Sequence, residues 1–181
     1  MIARNKFTYK DYVRFPNDGK IHEIIDGAHY NHPASRIKHQ RISRNLEFIF
    51  VPFIRKNKLG EWFDSPIDVI LGPYDIVQPD KLFISKEKEG IITELNIQGV
   101  PDLIIEITSP TDPGFDKETK LTLYSRFSVK NYWIVDSQLD VLEVYVHKGV
   151  GYELLGKYKK GDKFEPDLFP GLKVNVSEIF E

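Results

Sequence analysis

One pentapeptide constrains the fold more than any other part of the chain. Leu103-Ile104-Ile105-Glu106-Ile107 is apolar at both parities except for Glu106. Successive side chains of a strand point to opposite faces. A strand apolar on both faces therefore belongs in the middle of a sheet, with helices expected over each side. The single carboxylate inside it needs a cationic partner or a metal, because a bare buried charge is very costly.

The surrounding pattern supplies the rest of an α/β arrangement. Thr8-Tyr9-Lys10-Asp11 predicts a helix start, with a hydroxyl cap and an acidic side chain three residues on. Segments 20–25 and 28–31 flank Asp26-Gly27, a favoured two-residue hairpin turn. Ser35 is placed to cap a long helix whose apolar stripe is Ile42, Leu46, Ile49, Phe50 and Phe53, and Pro52 is expected to kink or end it. Strands are expected at 67–71, 77–85 and 103–108. After the breakers at 109–114, a helix starting near Asp116 should run to Ser128, and 132–136, 141–147 and 152–158 read as a C-terminal meander. A C-terminal segment, 173–176, precedes a short helix capped by Ser177. The expected fold class is thus α/β (an α+β mixed sheet): a central mixed β-sheet flanked by helices, with an N-terminal β-hairpin. With no internal repeat, low-complexity tract or Gly/Ser linker, the 181 residues are expected to form one domain.

Composition excludes several chemistries. The chain has no cysteine, which removes disulfides, thiolate zinc sites and cysteine nucleophiles, and fits a cytoplasmic location. No apolar run approaches the roughly 20 residues of a membrane span, and no apolar stretch follows the charges of the N-terminus. The net charge is −2 and the pI about 6.2, so no whole-molecule field attracts nucleic acid. Positive charge is concentrated locally instead. Arg36, Lys38, Arg41, Arg44, Arg55, Lys56 and Lys58 face only Glu47 over the same stretch. A solvated helix face is the plainer reading of that run.

Three charged residues fall where structure alone does not ask for them. Glu106 is one. Asp80 follows Gln78-Pro79 and shares a parity with Leu82 and Ile84, hence one sheet face. Lys120 opens the inward stripe Lys120, Leu123, Tyr124, Phe127, its stem packed on the core and its ammonium able to reach the strand ends. Two carboxylates on neighbouring strands can hold Mg²⁺, with Mn²⁺ as a substitute. The ion activates a bound water and neutralises charge on a phosphate, and a lysine beside it stabilises the transition state. This is a kit for phosphodiester hydrolysis.

The run Gln78-Pro79-Asp80, then 25 residues, then Glu106-Ile107-Thr108 resembles the PD-(D/E)XK signature of restriction-endonuclease-like nucleases, with Thr108 in the position of the signature lysine. In that superfamily the lysine can move to a nearby helix, and Lys120 is the natural substitute. The segments His22-Glu23-Ile24-Ile25-Asp26-Gly27, His39-Gln40, Val100-Pro101-Asp102-Leu103-Ile104-Ile105-Glu106-Ile107, Lys120-Leu121-Thr122-Leu123-Tyr124, Tyr132-Trp133-Ile134-Val135-Asp136 and Phe169-Pro170-Gly171-Leu172 resemble the Uma branch of these enzymes. The resemblance spans residue 8 to the end. It implies a restriction-endonuclease-like core and a metal-dependent nuclease, while fold alone does not fix function.

The reading that follows is a Mg²⁺-dependent DNA endonuclease. Asp80 and Glu106 hold the metal, Lys120 assists the nucleophile, and Glu23, on the hairpin face of Ile25, lends a third carboxylate. Arg36, Lys38, His39, Arg41 and Arg44 hold backbone phosphate. Double-stranded DNA is the expected partner and a homodimer the expected assembly, its two-fold axis matching the duplex. Bland alternatives stand beside each assignment: a core ion pair for Glu106, a turn residue for Asp80, a snorkelling lysine for Lys120, a hairpin salt bridge for Glu23 and a core-edge histidine for His39. Histidines 22, 29, 32 and 39 lack the i, i+4 spacing of a zinc protease. Asp102 also follows a proline but lies four residues from Glu106, roughly 13 Å at about 3.3 Å per residue, too far to share an ion. A module that keeps the nuclease fold without its activity, binding nucleic acid or protein, is the rival, and it should turn Lys120 away from the carboxylates. A two-carboxylate glycosidase needs an open sugar cleft and leaves the lysine unexplained.

Overall fold

The computed structural model describes residues 6–33, 36–108 and 115–181, the side chain of Asp116 apart. Ser35 as a helix cap and the breakers at 109–114 lie outside the described residues, while the helix expected to start near Asp116 begins at Phe115.

A short helix α1 (Tyr9–Tyr12) is followed by the hairpin β1 (Ile21–Ile25) and β2 (Ala28–His32), then by the long helix α2 (Ile37–Asn57). Strands β3 (Gly60–Asp64), β4 (Val69–Gly72), β5 (Asp75–Val77), β6 (Lys81–Ser85), β7 (Ile97–Gln98) and β8 (Leu103–Ile107) come next. A π-helical turn, Phe115–Lys120, runs into α3 (Leu121–Arg126). The meander β9 (Asn131–Asp136), β10 (Val141–His147) and β11 (Tyr152–Lys159) leads to β12 (Lys163–Phe164), β13 (Val174–Asn175) and α4 (Val176–Ile179).

The large sheet has the order β11-β10-β9-β8-β6-β3, which places the pentapeptide strand β8 at its centre as its two-sided apolarity requires. Only the β8–β9 pair is parallel in it; the other neighbours run antiparallel. The β8 side chains divide by parity. Leu103, Ile105 and Ile107 pack with Ile42, Leu46, Phe50 and Ile54 of α2 and with the C-terminal Phe169, Val176 and Ile179. Ile104 packs on the other side with Leu123, Tyr124 and a second sheet.

That second sheet was not expected. Its order is β2-β1-β5-β4-β7, so the N-terminal hairpin is the edge of a five-stranded layer and not an isolated unit. The single strand expected at 77–85 is split between the two sheets. β5 ends at Val77 and β6 begins at Lys81. Pro79 has no amide hydrogen for a ladder, and the Gln78 amide is spent on a side chain, the Glu23 carboxylate at 2.9 Å. The chain changes layer where its ladder bonds run out. The far face of β8 is consequently covered by a sheet together with α3, where helices alone were expected.

The local signals of the N-terminal segment hold. The Asp11 carboxylate accepts from both Thr8 N and Thr8 Oγ1 at 2.8 Å. Asp26 and Gly27 both have positive φ, 50° and 77°, the combination a two-residue hairpin turn needs. Pro52 does not end α2, which continues to Asn57. Its side chain is on the exposed side, while buried Phe50 and Ile54 flank it in sequence, so packing carries the helix past the missing donor. The last helix is capped by Asn175, whose side chain accepts from Ser177 N, not by Ser177 itself.

Candidate active site

Glu106 is buried on the face of β8 that looks toward the second sheet. Two donors meet at its Oε1: Lys120 Nζ at 2.8 Å and the Tyr124 hydroxyl at 2.7 Å. Both come from one helical surface. The π-helical turn ends at Lys120 and Tyr124 follows four residues later, one turn along the same inward stripe. Isolated π-turns often mark functional sites, and this one ends at Lys120. Thr108 is buried, giving its amide to Val135 O and taking the Ser137 hydroxyl on its carbonyl.

Lys120 Nζ also lies 3.1 Å from Glu23 Oε1. The hairpin therefore brings a second buried carboxylate against the same ammonium. Glu23 Oε1 takes the Gln78 amide as well, and Glu23 Oε2 stands 3.3 Å from His32 Nε2. Burial pushes the Glu23 carboxyl up, but the Lys120 charge, His32 and the Gln78 amide outweigh it and hold the group below the usual carboxylate range. Burial raises the Tyr124 hydroxyl well above its ordinary value, and the charges of Glu106 and Glu23 push the same way, so it remains a donor.

Asp80 occupies the lip of the sheet. The β6–β8 register pairs Lys81 with Ile105, so one step outward sets Asp80 opposite Glu106. Its Oδ2 accepts from Ile107 N at 2.8 Å, standing in for a ladder bond, and from His39 Nε2 at 3.0 Å. The expectation that Asp80 lies on the face of Leu82 and Ile84 needs correction. Those two pack toward the second sheet, whereas Asp80 reaches His39 on α2, the helix of the opposite layer. Past the last ladder pair the alternation of the strand no longer governs where the side chain points.

The site thus joins Glu23, Glu106 and Lys120 on one side of β8 to Asp80 and His39 at its end. Among the described residues two buried carboxylates share the Lys120 ammonium, and Asp80, just before β6, accepts from the amide of the residue after Glu106. Among the described residues no group of three or more His, Asp or Glu side chains converges as a ready cation cage. The donor set suits Mg²⁺, which is commonly bound by one or two carboxylates and fills its other positions with water and substrate phosphate.

The basic residues divide. Arg36, Lys38, Arg41 and Arg44 are exposed along α2, and Lys38 pairs with Asp140 at 2.7 Å. His39 is drawn inward to Asp80. The other histidines form no joint cluster: His22 and His29 are 2.9 Å apart with Asp18 beyond, and His32 faces Glu23. Asp102 is structural, accepting from Ser85 N and pairing with Lys88. Lys120 points into the carboxylates, unlike the arrangement expected of an inactive module.

Tyr124, His32 and the Gln78 amide were not singled out from the sequence as site groups. Two of them had a signal. Tyr124 shares the stripe of Lys120. The Asp26-Gly27 turn pairs Glu23 with Tyr30 and Ile21 with His32, which puts Glu23 and His32 diagonally on one face.

No helix among the described residues is long and apolar enough to cross a membrane. A sequence profile of the Uma2 family, described as "Putative restriction endonuclease", matches residues 9–177. No curated protein matches the sequence. A solved structure described as a "putative nuclease belonging to DUF820", from Anabaena variabilis, superposes with a TM-score of 0.78 at 16% identity, covering 96% of this chain and 97% of that one. At that identity the likeness concerns the fold.

Proposed function

From the premise that the chain belongs to the Uma2 family, whose profile spans residues 9–177, we propose that it is a metal-dependent endonuclease hydrolysing DNA phosphodiester bonds. The observation that carries the reading is the Lys120 ammonium set between Glu106 and Glu23 at the end of the central strand.

Asp80 and Glu106 would hold Mg²⁺, or Mn²⁺ in its place, and the bound ion would supply Lewis-acid polarisation of the phosphate and an acidified water. The chain's own groups do the positioning. Asp80 is fixed by the Ile107 amide and His39, which orients its carboxylate. Tyr124 and Lys120 fix Glu106. Lys120, buried and anchored by Glu23, presents positive charge where a phosphate oxygen gains negative charge, and burial makes that charge count for more than it would in water.

Arg36, Arg41 and Arg44 on the exposed side of α2 would bind backbone phosphates, with His39 marking where that helix meets the site. Such contacts give affinity and register but carry no base information. Double-stranded DNA is the substrate we favour, cut by a homodimer whose two-fold axis matches the duplex.

The test is Mg²⁺- or Mn²⁺-dependent cleavage of supercoiled plasmid by the wild type and by Glu106→Ala, with the fold of both checked by circular dichroism. Cleavage by the wild type that is lost in the folded variant supports the reading. A wild type that neither cleaves nor takes up either ion by calorimetry overturns it in favour of an inactive binding module.

A further inference from the structure

His32 is the histidine of the β1–β2 hairpin that faces the buried carboxylates, while His22 and His29 face each other and Asp18. Its Nε2 lies 3.3 Å from Glu23 Oε2. Neither atom touches solvent, and neither has an aligned hydrogen bond to a described residue. An acid–base pair that is close but imperfectly aligned is common in a site without substrate, and it tightens when the substrate arrives. Glu23 cannot turn elsewhere, because its other oxygen is held by Lys120 and the Gln78 amide. One face of the imidazole rests on the Phe115 ring, with centroids 4.7 Å apart.

The rest of the His32 side chain is only partly covered. The Glu23 side chain is 0% exposed and that of His32 27%. With Nε2 enclosed, that exposure falls on the rest of the side chain, to which Nδ1 belongs. His32 therefore connects a buried carboxylate to the mouth of the site, beside Lys120. A carboxylate that holds one ring nitrogen while the other meets the substrate is the arrangement by which imidazoles move protons.

Resting on the nuclease reading, we propose that His32 is the general acid of the cleavage, with Glu23 as the residue that orients it. Water attacks phosphorus and a new P–O bond forms. The bond from phosphorus to the leaving sugar oxygen breaks, its electron pair stays on that oxygen, and the oxygen takes the proton from His32 Nδ1. The surplus proton of the water passes to solvent, and the imidazole is reprotonated from solvent. The net change is diester plus water to monoester plus alcohol. Glu23, ionised and anchored, stabilises the imidazolium before the transfer.

The experiment compares oligonucleotides with an ordinary diester and with a bridging phosphorothiolate, sulfur replacing the 3′ or, in a second substrate, the 5′ bridging oxygen. A thiolate leaves without being protonated. His32→Gln and His32→Asn should cleave the ordinary diester about 10²–10⁴-fold more slowly than the wild type, the usual range for a general acid. On one of the two sulfur substrates the deficit should shrink to within about tenfold, because that leaving group needs no proton. Urea denaturation of both variants identifies one that has lost its fold, and the other then carries the comparison. An equal deficit on all substrates, or none on the ordinary diester, overturns the role of His32 and leaves the nuclease intact. A wild type that cleaves none of them overturns the nuclease reading, and this proposal falls with it.

Discussion

Lys120 Nζ stands 2.8 Å from Glu106 Oε1, closing a buried ion pair between residues 14 apart in sequence. The same ammonium reaches Glu23 at 3.1 Å, so one lysine ties the π-helical turn, the central strand of the large sheet and the edge hairpin of the second sheet together. The charge balance of the interior and the chemistry of the site depend on the same cation.

Lys120→Met should therefore destabilise the protein by about 3–5 kcal/mol, the usual cost of removing one partner from a buried pair. Urea denaturation at pH 7 measures it. Because the two buried carboxylates would then have lost the ammonium they share, acidification should recover part of the loss as one of them takes up a proton. A loss under about 1 kcal/mol would mean that the pair is solvated.

Glu23 determines part of the acid limb of stability. Its carboxyl is held below the ordinary value of 4.5 in the folded state. A depressed folded pKa contributes stability that is fully present above the unfolded value and is lost as pH falls through the folded value. The wild type should therefore weaken progressively below pH 4.5, and Glu23→Gln should show a shallower acid limb in urea midpoints collected from pH 7 to pH 3. Asp136 and Glu143, also held low through Lys117 and backbone or side-chain donors, keep the variant from becoming flat.

Tyr124→Phe removes one donor from Glu106 and leaves the ring packing against Tyr132 unchanged. A hydrogen bond to a charged group contributes about 1.5–3 kcal/mol, so a loss of that size is expected in chemical denaturation. Nuclease activity should fall as well, because Glu106 is then fixed by Lys120 with one donor fewer.

Arg41 and Arg44 should set the salt dependence of DNA binding. Replacing both with alanine should lower the slope of log K against log salt by about 1.8, near 0.9 for each phosphate that is no longer neutralised. Fluorescence anisotropy with a labelled duplex, in EDTA to prevent cleavage, measures it. An unchanged slope would place the phosphate-binding surface elsewhere.

Pro52→Ala should stabilise α2. The helix already passes through this exposed position, so the variant restores one backbone hydrogen bond without disturbing Phe50 or Ile54. A gain of about 1–3 kcal/mol is expected, near the full helix-interior difference between the two residues less the entropy that proline removes from the unfolded chain.

What the sequence determined by itself is what period and composition encode locally. The two-sided apolarity of 103–107 placed β8 at the centre of a sheet and marked Glu106 as a residue needing a partner. The Asp26-Gly27 turn set the hairpin register, and the 120, 123, 124, 127 stripe turned Lys120 inward. Tertiary structure decided what crosses between layers. Pro79 marks a break in the ladder at Gln78-Pro79-Asp80, but nothing local announced that the chain changes sheet there. That depended on the Gln78 amide meeting a carboxylate 55 residues earlier. The pairing of His39 with Asp80, and the sharing of Lys120 by Glu106 and Glu23, are likewise contacts between layers. Periodicity tells a side chain which face to leave by. Which group it meets there depends on how the layers stack, and that is settled only by burying all the apolar faces at once.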